Sequence, residues 1–590
     1  MTTDQIILFA LFGAVFAFLL WGRWRYDIVA FSALMVAVVL GVVPTDRAFS
    51  GFGHPATIIV ALVLVVSAGL VRSGAVHLIT RTMVDSSRAL QGHIAIMGGV
   101  GAVLSAFINN VAALALLMPV DLQTARKAKR AAGLTLMPLS FATILGGMAT
   151  LIGTPPNIII ASIREESLGA SFAMFDFAPV GAVTALAGLG FITLVGWRLI
   201  PQREDAVLEP SEIADYIAEL TVPEDSDHIG KRLIELEEAA HDADVAILGL
   251  IRDGKRRYGP AINTELKAGD ILVLEAKPDA LDEFRSRLSL AFSDKEREER
   301  LKAEGAGLDI IEVVVPQSSR LVGKTAQKVG LHWRQHSVLM GVSRQGRKIT
   351  SQVRNTTIEA GDILLLLVPK ATGRDVTEWL GCLPLADRGL TVTQDNKTWL
   401  AIGAFAAAVT AAATGIVYLP VALGIVVMVY VLTRIIPANE LYNQIEWPVV
   451  VLLGSMIPLG AALDEVGGTR LIADALVSLT AGLPAWAVLA VLMAVTMTLS
   501  DVLNNTATTV VAAPVAIQMA RSLDVAPDPF LMAVAVAASS AFLTPIGHKN
   551  NTLILGPGGY RFSDYWRLGL PLEVLVIAVS VPAIMVFWPL

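Results

Sequence analysis

Two apolar stretches of this chain each carry a pair of adjacent asparagines. The first contains Asn109 and Asn110, and the second contains Asn504 and Asn505. A side-chain amide in an apolar environment is costly unless it forms hydrogen bonds, so such a pair indicates either polar contacts between packed helices or a polar cavity. The return of the pair near the other end of the chain favours the cavity.

Each asparagine pair is followed by a second apolar stretch that glycine and proline interrupt. Gly153 lies 43 residues after Asn110, and Gly547 lies 42 residues after Asn505. Interrupted helices at matching positions of two halves are typical of the substrate site of secondary transporters. The spacing therefore predicts one structural unit that occurs twice.

The composition places most of the chain in a lipid bilayer. Of the 590 residues, 54% are hydrophobic, and the mean hydropathy is +0.63. We therefore expect an all-α polytopic membrane protein. Besides the two amide-bearing stretches, ten apolar runs are long enough to span a bilayer: 5–21, 27–44, 55–71, 131–162, 177–199, 398–415, 417–433, 447–463, 527–555 and 570–589.

Lysine and arginine beside these runs predict their orientation. Under the positive-inside rule, the N-terminus lies outside the cell membrane and the polar region 203–396 lies in the cytoplasm. The two amide-bearing stretches then form re-entrant hairpins that enter from opposite sides. Repeats 1–202 and 397–590 are thus expected to be inverted copies, provided that neither stretch crosses the membrane as a full span.

The polar region 203–396 contains a repeat of its own. Gly230, Gly254 and Gly269 recur as Gly323, Gly346 and Gly361, at offsets of 93, 92 and 92 residues. Short β-branched runs between these glycine-bearing turns predict two small inserted α+β domains, 203–300 and 301–396.

Several functional classes have little support in the sequence. Cys382 is the only cysteine, which leaves no disulfide framework and no CxxC metal site. A basic surface with interleaved aromatic residues is missing, so nucleic acid is not an expected partner. The polar region offers no pair of nucleophile and base, so the protein is not expected to be an enzyme. A gated cation channel remains a weaker alternative, because no Thr-Val-Gly-Tyr-Gly filter occurs.

Residues beside the amide pairs and interruptions have chemistry that suits an anion and a cation. Half-helix N-termini and unwound backbone can supply N–H donors and carbonyl oxygens there. Asp501 completes a sodium site, carries a proton, or faces water at the mouth of its hairpin. His548 is a candidate contact of the substrate, more so than Lys549, which can instead extend to the membrane interface. Thr154, which stands in the first half where His548 stands in the second, is also a candidate contact of the substrate.

The motifs together resemble the divalent anion/sodium symporter family of the ion transporter superfamily. The resemblance rests on the paired amide hairpins, on Gly-Thr-Pro-Pro-Asn at 153–157 and on Thr-Pro-Ile-Gly at 544–547. The tail at 556–565 resembles the sulfate-permease-like branch. The two inserted repeats resemble the C-terminal (RCK_C, or TrkA-C) domain of potassium-transport RCK proteins.

The resemblance implies roles for individual residues. The family's Ser-Asn-Thr motif falls on Asn109-Asn110-Val111 and Asn504-Asn505-Thr506. The implied substrate contacts are Asn109 and Asn110 in the first half and Asn504, Asn505 and Thr506 in the second. The implied sodium ligands are Ser105, Asn110 and Gly153 in one half and Ser500, Asn505 and Gly547 in the other. Val111 lacks the hydroxyl of the family's threonine, and asparagine replaces serine at both first positions, which leaves substrate preference and ion stoichiometry open.

We therefore expect sodium-coupled symport of a small divalent anion by an elevator or rocking motion in a homodimer. Sulfate is favoured over dicarboxylate by the branch resemblance alone. Proton coupling through Asp501, or transport of another oxyanion, is the main alternative. The RCK_C-like domains are expected either to bind a small ligand such as a nucleotide or to serve only in dimerisation.

Overall fold

The computed structural model describes most of the chain. The described residues are 1–21, 24–75, 89–201, 217–236, 239–240, 245–252, 255–257, 264–275, 284–285, 287–288, 290–292, 308–317, 319–331, 337–344, 347–349, 353, 356–369, 373–385, 397–480, 482–503 and 505–590. Two compact units are present. One comprises Met1–Arg203, Asp387–Ile554 and Arg561–Leu590, and the other comprises Glu204–Ala386 and Leu555–Tyr560.

The first unit is helical and is built from two halves whose described helices correspond, except that one helix of the second half matches a part of the first half outside the described residues. In the described part of the first half the helices are α1 (Thr3–Trp21), α2 (Tyr26–Val39), α3 (Pro55–Arg72), α4 (Leu90–Ser105), α5 (Asn110–Lys127), α6 (Gly133–Gly147), α7 (Pro155–Leu168) and α8 (Ala178–Leu194). Those of the second half are α9 (Thr398–Ala413), α10 (Leu419–Leu432), α11 (Trp447–Glu465), α12 (Gly468–Leu479), α13 (Ala485–Val502), α14 (Asn505–Ser522), α15 (Pro527–Ser539), α16 (Lys549–Leu555) and α17 (Tyr565–Phe587).

Four helical segments of the described residues are long and apolar enough to cross a membrane. They are Ser50–Arg72, Trp447–Glu465, Ala485–Val502 and Phe562–Phe587. Eight further apolar helical segments are shorter, with 10–17 residues each. This mostly helical architecture agrees with the predicted polytopic membrane protein.

Helices α6 and α15 form the centre of the helical unit. Every residue of α6 is buried, and so is every residue of α15 from Pro529 onward. A helix that is apolar on all sides lies inside a larger bundle, and these two have that composition. Helix α4 packs on α6 in the first half, and α13 packs on α15 in the second. The two halves thus surround their central helices in the same way.

The predicted interruptions occur in both halves. The first hairpin consists of α4 and α5, which pack against each other around residues 106–109. The second hairpin consists of α13, which ends at Val502, and α14, which begins at Asn505, and these two helices pack against each other. Helix α6 ends at Gly147 and α7 begins at Pro155, which leaves a first break at 148–154. Helix α15 ends at Ser539 and α16 begins at Lys549, which leaves a second break at 540–548.

One helix was absent from the predicted set. Helix α12, Gly468–Leu479, packs on α14 and carries Arg470 and Asp474 on an exposed face. Its mixed polar and apolar surface explains why it does not stand out as an apolar run. The matching position of the first half lies at 76–88, outside the described residues.

The second unit contains two five-stranded antiparallel sheets. The first has the strand order β3-β2-β4-β1-β5, and the second has the order β10-β6-β9-β7-β8. The first sheet comprises β1 (Ile217–Thr221), β2 (Ala246–Arg252), β3 (Lys255–Arg257), β4 (Ile271–Glu275) and β5 (Ala291–Phe292). The second comprises β6 (Leu308–Val314), β7 (Val338–Arg344), β8 (Arg347–Ile349), β9 (Ile363–Pro369) and β10 (Leu383–Pro384).

The two sheets repeat each other in detail. Read from opposite ends, their strand orders coincide, and the register shifts once in each, between Ile247 and Gly249 and between Leu339 and Gly341. The predicted sequence repeat is therefore a repeated fold. The predicted glycine turn residues 254 and 346 lie outside the described residues.

A bidentate ion pair closes the same corner of each sheet. The guanidinium of Arg344 donates to Asp362 at 2.8 and 2.7 Å, and that of Arg252 donates to Asp270 at 2.7 and 2.6 Å. The hydrogen bonds to Asp362 raise the pKa of Arg344, so its guanidinium stays charged at any physiological pH. This explains why Ala-Gly-Asp occurs before both β4 and β9.

Candidate substrate and ion site

Asn110 lies at the tip of the first hairpin, where α5 begins. Its side chain is buried, and its Oδ1 accepts a hydrogen bond of 2.5 Å from the hydroxyl of Ser105 at the end of α4. Gly147 packs directly against this amide. A Cβ atom at position 147 would lie only 2.4 Å from Oδ1 of Asn110. The absence of a side chain at Gly147 therefore lets the Asn110 amide occupy this place. Ser105 and Asn110 are brought together as predicted.

Asn109 has a different position from its neighbour. Its side chain is half-buried and accepts a 2.8 Å hydrogen bond from the backbone N–H of Val111, which caps α5. Its own N–H donates to the hydroxyl of Ser67 at 3.4 Å. An asparagine at this position satisfies a backbone donor that the helix leaves free. The structure thus gives Asn109 a capping contact, and its predicted substrate contact stays a prediction.

An asparagine holds each break together. In the first, Asn157 Nδ2 donates to the carbonyls of Met148 at 3.2 Å and Thr150 at 2.8 Å. In the second, Asn551 Nδ2 donates to the carbonyls of Ala541 at 3.0 Å and Thr544 at 3.1 Å. Carbonyls released where a helix unwinds need such partners in an apolar setting.

A threonine joins each break to the hairpin of its own half. The hydroxyl of Thr150 donates a hydrogen bond to the backbone carbonyl of Ala106. The hydroxyl of Thr544 donates to the backbone carbonyl of Asp501 at 2.6 Å. The N–H of Gly153 donates to the Thr150 hydroxyl at 3.2 Å. That of Gly547 donates to the Thr544 hydroxyl at 3.0 Å. The two predicted glycines therefore occupy equivalent places beside the hairpin tips.

Close backbone packing explains why glycine occupies both places. A Cβ atom on Gly153 would lie 2.3 Å from the carbonyl oxygen of Gly147. A Cβ atom on Gly547 would lie 2.9 Å from the Cα and the carbonyl oxygen of Asp501. Gly153 is thus linked to Asn110 through Gly147, and Gly547 is in direct contact with Asp501.

The two halves meet where the broken helices cross. Ser140 of α6 donates to Asn551 Oδ1 at 3.0 Å, and Asn550 Nδ2 donates to the hydroxyl of Thr143 at 2.8 Å. The rings of Phe141 and Phe542 pack with centroids 4.8 Å apart. Polar and aromatic contacts between the halves therefore fix the two breaks next to each other.

His548 reaches the tip of the first hairpin across this junction. Its Nε2 lies 3.4 Å from Nδ2 of Asn110, and its Nδ1 accepts the backbone N–H of Asn550 at 3.1 Å. Because Nδ1 is an acceptor, the neutral ring carries its proton on Nε2. Polar nitrogens of both halves therefore lie within 3.4 Å of each other, and N–H groups in such a place suit an anionic acceptor.

Lys549 has another partner. Its ammonium group forms an ion pair with the carboxylate of Glu446, which precedes α11. The geometry therefore agrees with the prediction that His548, rather than Lys549, approaches the asparagine tip. The alternative that Lys549 extends to the membrane interface stays a prediction.

Asp501 is buried, with 2% of its surface exposed. Its Oδ1 accepts the backbone N–H of Leu543 at 2.9 Å. The predicted alternative of a carboxylate that faces water at the mouth of the hairpin is therefore wrong. The freed N–H groups of the second break account for the burial, since they solvate the carboxylate.

The remaining residues of the second hairpin are less closely joined. Ser500 donates to the carbonyl of Ala538 at 2.6 Å, and Asn505 Oδ1 accepts the N–H of Thr506 at 2.8 Å. Among the described residues, no hydrogen bond joins Ser500 to Asn505 as Ser105 joins Asn110. Asn504 lies outside the described residues.

Some buried polar atoms near the junction lack a partner within the described part of the chain. They are the hydroxyls of Thr154 and Thr508 and Oδ1 of Asn550. A buried polar atom without a hydrogen bond costs about 1–3 kcal/mol, so such atoms indicate a ligand or water. The predicted site residue Thr154 therefore has a free hydroxyl at the start of α7, and α7 packs on α14 of the other half.

Sequence reasoning missed Gly147 and Asn550. It also passed over Glu573 of α17, a buried carboxylate that accepts the N–H of Phe542 at 3.3 Å. Gly147 has no motif of its own, and its role follows only from its distance to Asn110. Asn550 adjoins the recognised motif at 544–547. Glu573 is the only charged residue in the apolar run 570–589, and a lone acid in such a run is a signal that could have identified it.

The chain is similar to several known transporters. A family model described as citrate transporter (CitMHS) matches residues 16–537 and 485–590. The chain is 30% identical to an uncharacterized transporter of Synechocystis, over 99% of this chain and 97% of the relative. It is 29% identical to an uncharacterized transporter of Escherichia coli, over 96% of both chains. Sodium/sulfate cotransporter 2 of Chlamydomonas reinhardtii is 25% identical over 55% of this chain and 38% of its own length.

Proposed function

Because this chain belongs to the CitMHS citrate transporter family, we propose that it is a secondary active transporter that moves a small divalent anion together with sodium. The observation that carries this proposal is the junction of Asn110 with Ser105 in its own half and with His548 in the other. It offers oxygen atoms and N–H donors side by side, which a cation and an anion need respectively.

Sulfate is our preferred substrate. A relative named as a sodium/sulfate cotransporter supports sulfate and sodium, whereas the family description names citrate. The donors at Asn110 and His548 suit the oxygens of sulfate and of a carboxylate equally well. A dicarboxylate therefore remains the second candidate.

We assign one sodium ion to each half. The first is held by oxygens of Ser105, Asn110 and the backbone around Gly153. The second is held by Ser500, Asn505 and Gly547 together with the main chain of Asp501, which lies against Gly547. Hydroxyl, amide and carbonyl oxygens are the groups that bind this hard cation. The anion is held by Asn109, Asn110, Thr154, Asn504, Asn505, Thr506 and His548.

The transport cycle that we propose moves both hairpins and both breaks as one body. The hydrogen bonds between the halves support this, because they tie the two breaks to each other. The hairpins then enter the cell membrane from opposite sides, and the elevator motion exposes their common site to each side in turn.

We further propose that the two sheet domains are cytoplasmic RCK_C-like regulators within a homodimer. Their repeated fold supports a pair of equivalent ligand or assembly sites. Calorimetric titration of the protein with nucleotides, including cyclic di-AMP, tests whether these domains bind a regulatory ligand. If no heat of binding is measured, dimerisation remains the role of the two sheet domains.

Replacement of Asn110 by alanine tests the transport site. In proteoliposomes with an inward sodium gradient, Asn110→Ala and Asn505→Ala are expected to abolish uptake of labelled sulfate, because each removes an amide from a hairpin tip. Asn443→Ala, at an exposed asparagine, is the matched control and should transport as the wild type does. Unchanged uptake by both tip variants would refute the assignment, and competition by unlabelled succinate distinguishes sulfate from dicarboxylate.

The main alternative is a proton-coupled transporter of the same or another oxyanion. The buried carboxylate of Asp501 favours it. Uptake that follows a pH gradient in the absence of sodium would support this alternative over sodium symport.

A further inference from the structure

The helices of the helical unit fall into two groups. Helices α1–α3 and α9–α11 pack on one another and are the frame helices. Helices α4–α8 and α13–α17, which contain both hairpins and both breaks, are the core helices. The groups meet where α3 packs on α7 and where α11 packs on α14. Movement of the hairpins and breaks as one body is therefore movement of the core helices along the frame helices.

The frame helices α3 and α11 run in opposite directions. Arg47, just before α3, pairs with Glu465 at the end of α11. Arg72, at the end of α3, pairs with Glu440, which lies before α11. The starts of these two helices therefore lie at opposite ends of the frame.

At each end of the frame, the residue that precedes the helix pairs with a core helix. His54 precedes α3, and its Nε2 lies 2.6 Å from Oε1 of Glu166 in α7. Its Nδ1 accepts the N–H of Ala56, so Nε2 carries a proton and donates it to the carboxylate in a hydrogen bond. Glu446 precedes α11 and pairs with Lys549, the first residue of α16. These two contacts, the interfacial pairs, join the two groups at opposite ends.

The interfacial pairs are not placed symmetrically. Asn157 and Asn551 bind the carbonyls of the two breaks in the same way, so a residue of α16 corresponds to the residue of α7 that lies 394 positions earlier. The counterpart of Lys549 is then Pro155, whereas Glu166 lies 11 positions further along α7. At 1.5 Å per residue, this difference corresponds to about 16 Å.

The asymmetry gives the position of the core helices. Inverted halves in a symmetric arrangement would present the same level of α7 and α16 to the two ends of the frame. Instead, Glu446 lies beside the second break, and His54 lies beside α7 about 16 Å beyond the first break. The core helices are therefore displaced toward the Glu446 end. Interchange of the arrangements of the two halves gives a second position, about 16 Å away toward the His54 end.

Neither interfacial pair can persist in that second position. His54 would lie beside the start of α7, where Pro155 and Pro156 offer no charged or hydrogen-bonding side chain. Glu446 and Lys549 would lie about 16 Å apart along the helix axis. Both pairs therefore favour the same one of the two positions.

We propose that the described structure is one end state of the transport cycle and that His54–Glu166 and Glu446–Lys549 stabilise it against a second state about 16 Å away. The inference rests on the proposed function, because it needs the moving body. Under the predicted orientation the Glu446 end is cytoplasmic, so the stabilised state holds the breaks nearer to the cytoplasm. Partly exposed pairs are individually weak, so they bias the cycle without stopping it.

Distances between spin labels, measured by double electron–electron resonance in lipid, test the proposal. One label is attached at Tyr442→Cys, an exposed frame position near the end of α3, and the other at Ser167→Cys, next to Glu166 in the core. Helix α3 has 18 residues and spans about 27 Å, so the described state should give about 27 Å and the second state about 43 Å. Cys382 is buried, so the labels attach to the introduced cysteines. Labels at Tyr442→Cys and Asp46→Cys both lie in the frame and should keep one distance.

Loss of the interfacial pairs should populate the second state. Glu166→Gln and Glu446→Gln should each raise the ratio of the long to the short distance about 3-fold, and the double variant about 10-fold. Glu440→Gln and Glu465→Gln are the matched controls, because they break ion pairs within the frame at the same two ends. The controls should leave the ratio unchanged. An unchanged ratio in the double variant, or an equal shift in the controls, overturns the proposal.

The same distances separate this proposal from the proposed function. Two distances whose ratio does not respond to either interfacial pair would reject the role of the pairs and leave the motion. A single distance between frame and core in every variant, with and without sodium and sulfate, would reject the moving body and the role of the pairs together. Sulfate uptake in proteoliposomes decides the substrate independently, since the distances are measured whether or not sulfate is transported.

Discussion

Gly147 controls the position of the Asn110 amide, so Gly147→Ala should weaken sodium binding in the first half. The added Cβ atom would lie 2.4 Å from Oδ1, 3.0 Å from Nδ2 and 3.1 Å from Cγ of Asn110. All three distances are shorter than ordinary van der Waals contact. The amide must therefore move, and it would lose the hydrogen bond from Ser105.

The size of the effect follows from these contacts. Overpacking of this kind costs about 1–3 kcal/mol. Loss of the hydrogen bond costs about 0.5–1.5 kcal/mol. Replacement of glycine by alanine in a helix returns about 0.5–1 kcal/mol. With mid-range values, the two costs minus the gain leave a net cost of about 2 kcal/mol. This corresponds to about 30-fold weaker binding of sodium.

The sodium concentration for half-maximal sulfate uptake in proteoliposomes measures this change. Gly147→Ala should raise it about 30-fold. Gly190→Ala is the control, because a Cβ atom there in α8 meets nothing within 4 Å. If both variants keep a sodium dependence within about twofold of the wild type, the Asn110 amide is not a sodium ligand in the observed position.

Two further predictions concern other parts of the chain. Burial raises the pKa of the Cys382 thiol to about 12, so the native thiol stays protonated at pH 8. Alkylation by iodoacetamide, followed by mass spectrometry, should be about 1,000-fold slower in the native protein than in the urea-unfolded protein, and rapid native labelling would contradict the burial. Phe141→Ala should remove the ring contact at the helix crossing and cost about 3 kcal/mol. A clearly lower melting temperature than that of Phe18→Ala, whose ring is 42% exposed, is expected, and equal values would contradict the central role of the crossing.

The sequence predicted the helices and their interruptions because glycine, proline and paired amides leave a strong local signal. Gly153 and Gly547 indeed lie in breaks, and Gly269 and Gly361 come shortly before β4 and β9 in two sheets of the same topology. The amphipathic helix α12 escaped prediction because its polar face lowers its hydropathy.

The contacts between the halves could not be predicted from the sequence. Periodicity tells which face of a helix is buried, but it does not tell which partner covers that face. The meeting of Asn110 with His548 and that of Ser140 with Asn551 depend on how the helices cross. Asn109 and Asn110 look alike in the sequence, and only the turn geometry makes one a cap and the other a buried contact.

The crossing of the halves also sets the order in which the site is made during translation. Three side chains of the first half contact residues that come much later in the chain. The partner of Asn110 lies 438 positions later, that of Thr143 lies 407 positions later, and that of Ser140 lies 411 positions later. At about 5–20 residues per second, a ribosome delivers those partners roughly 20–90 s later. For that interval the first half has polar side chains without their native partners. Until the last quarter of the polypeptide is synthesised, these polar side chains therefore need other hydrogen-bond partners. Water, the insertion machinery or temporary pairing between nascent helices can supply them.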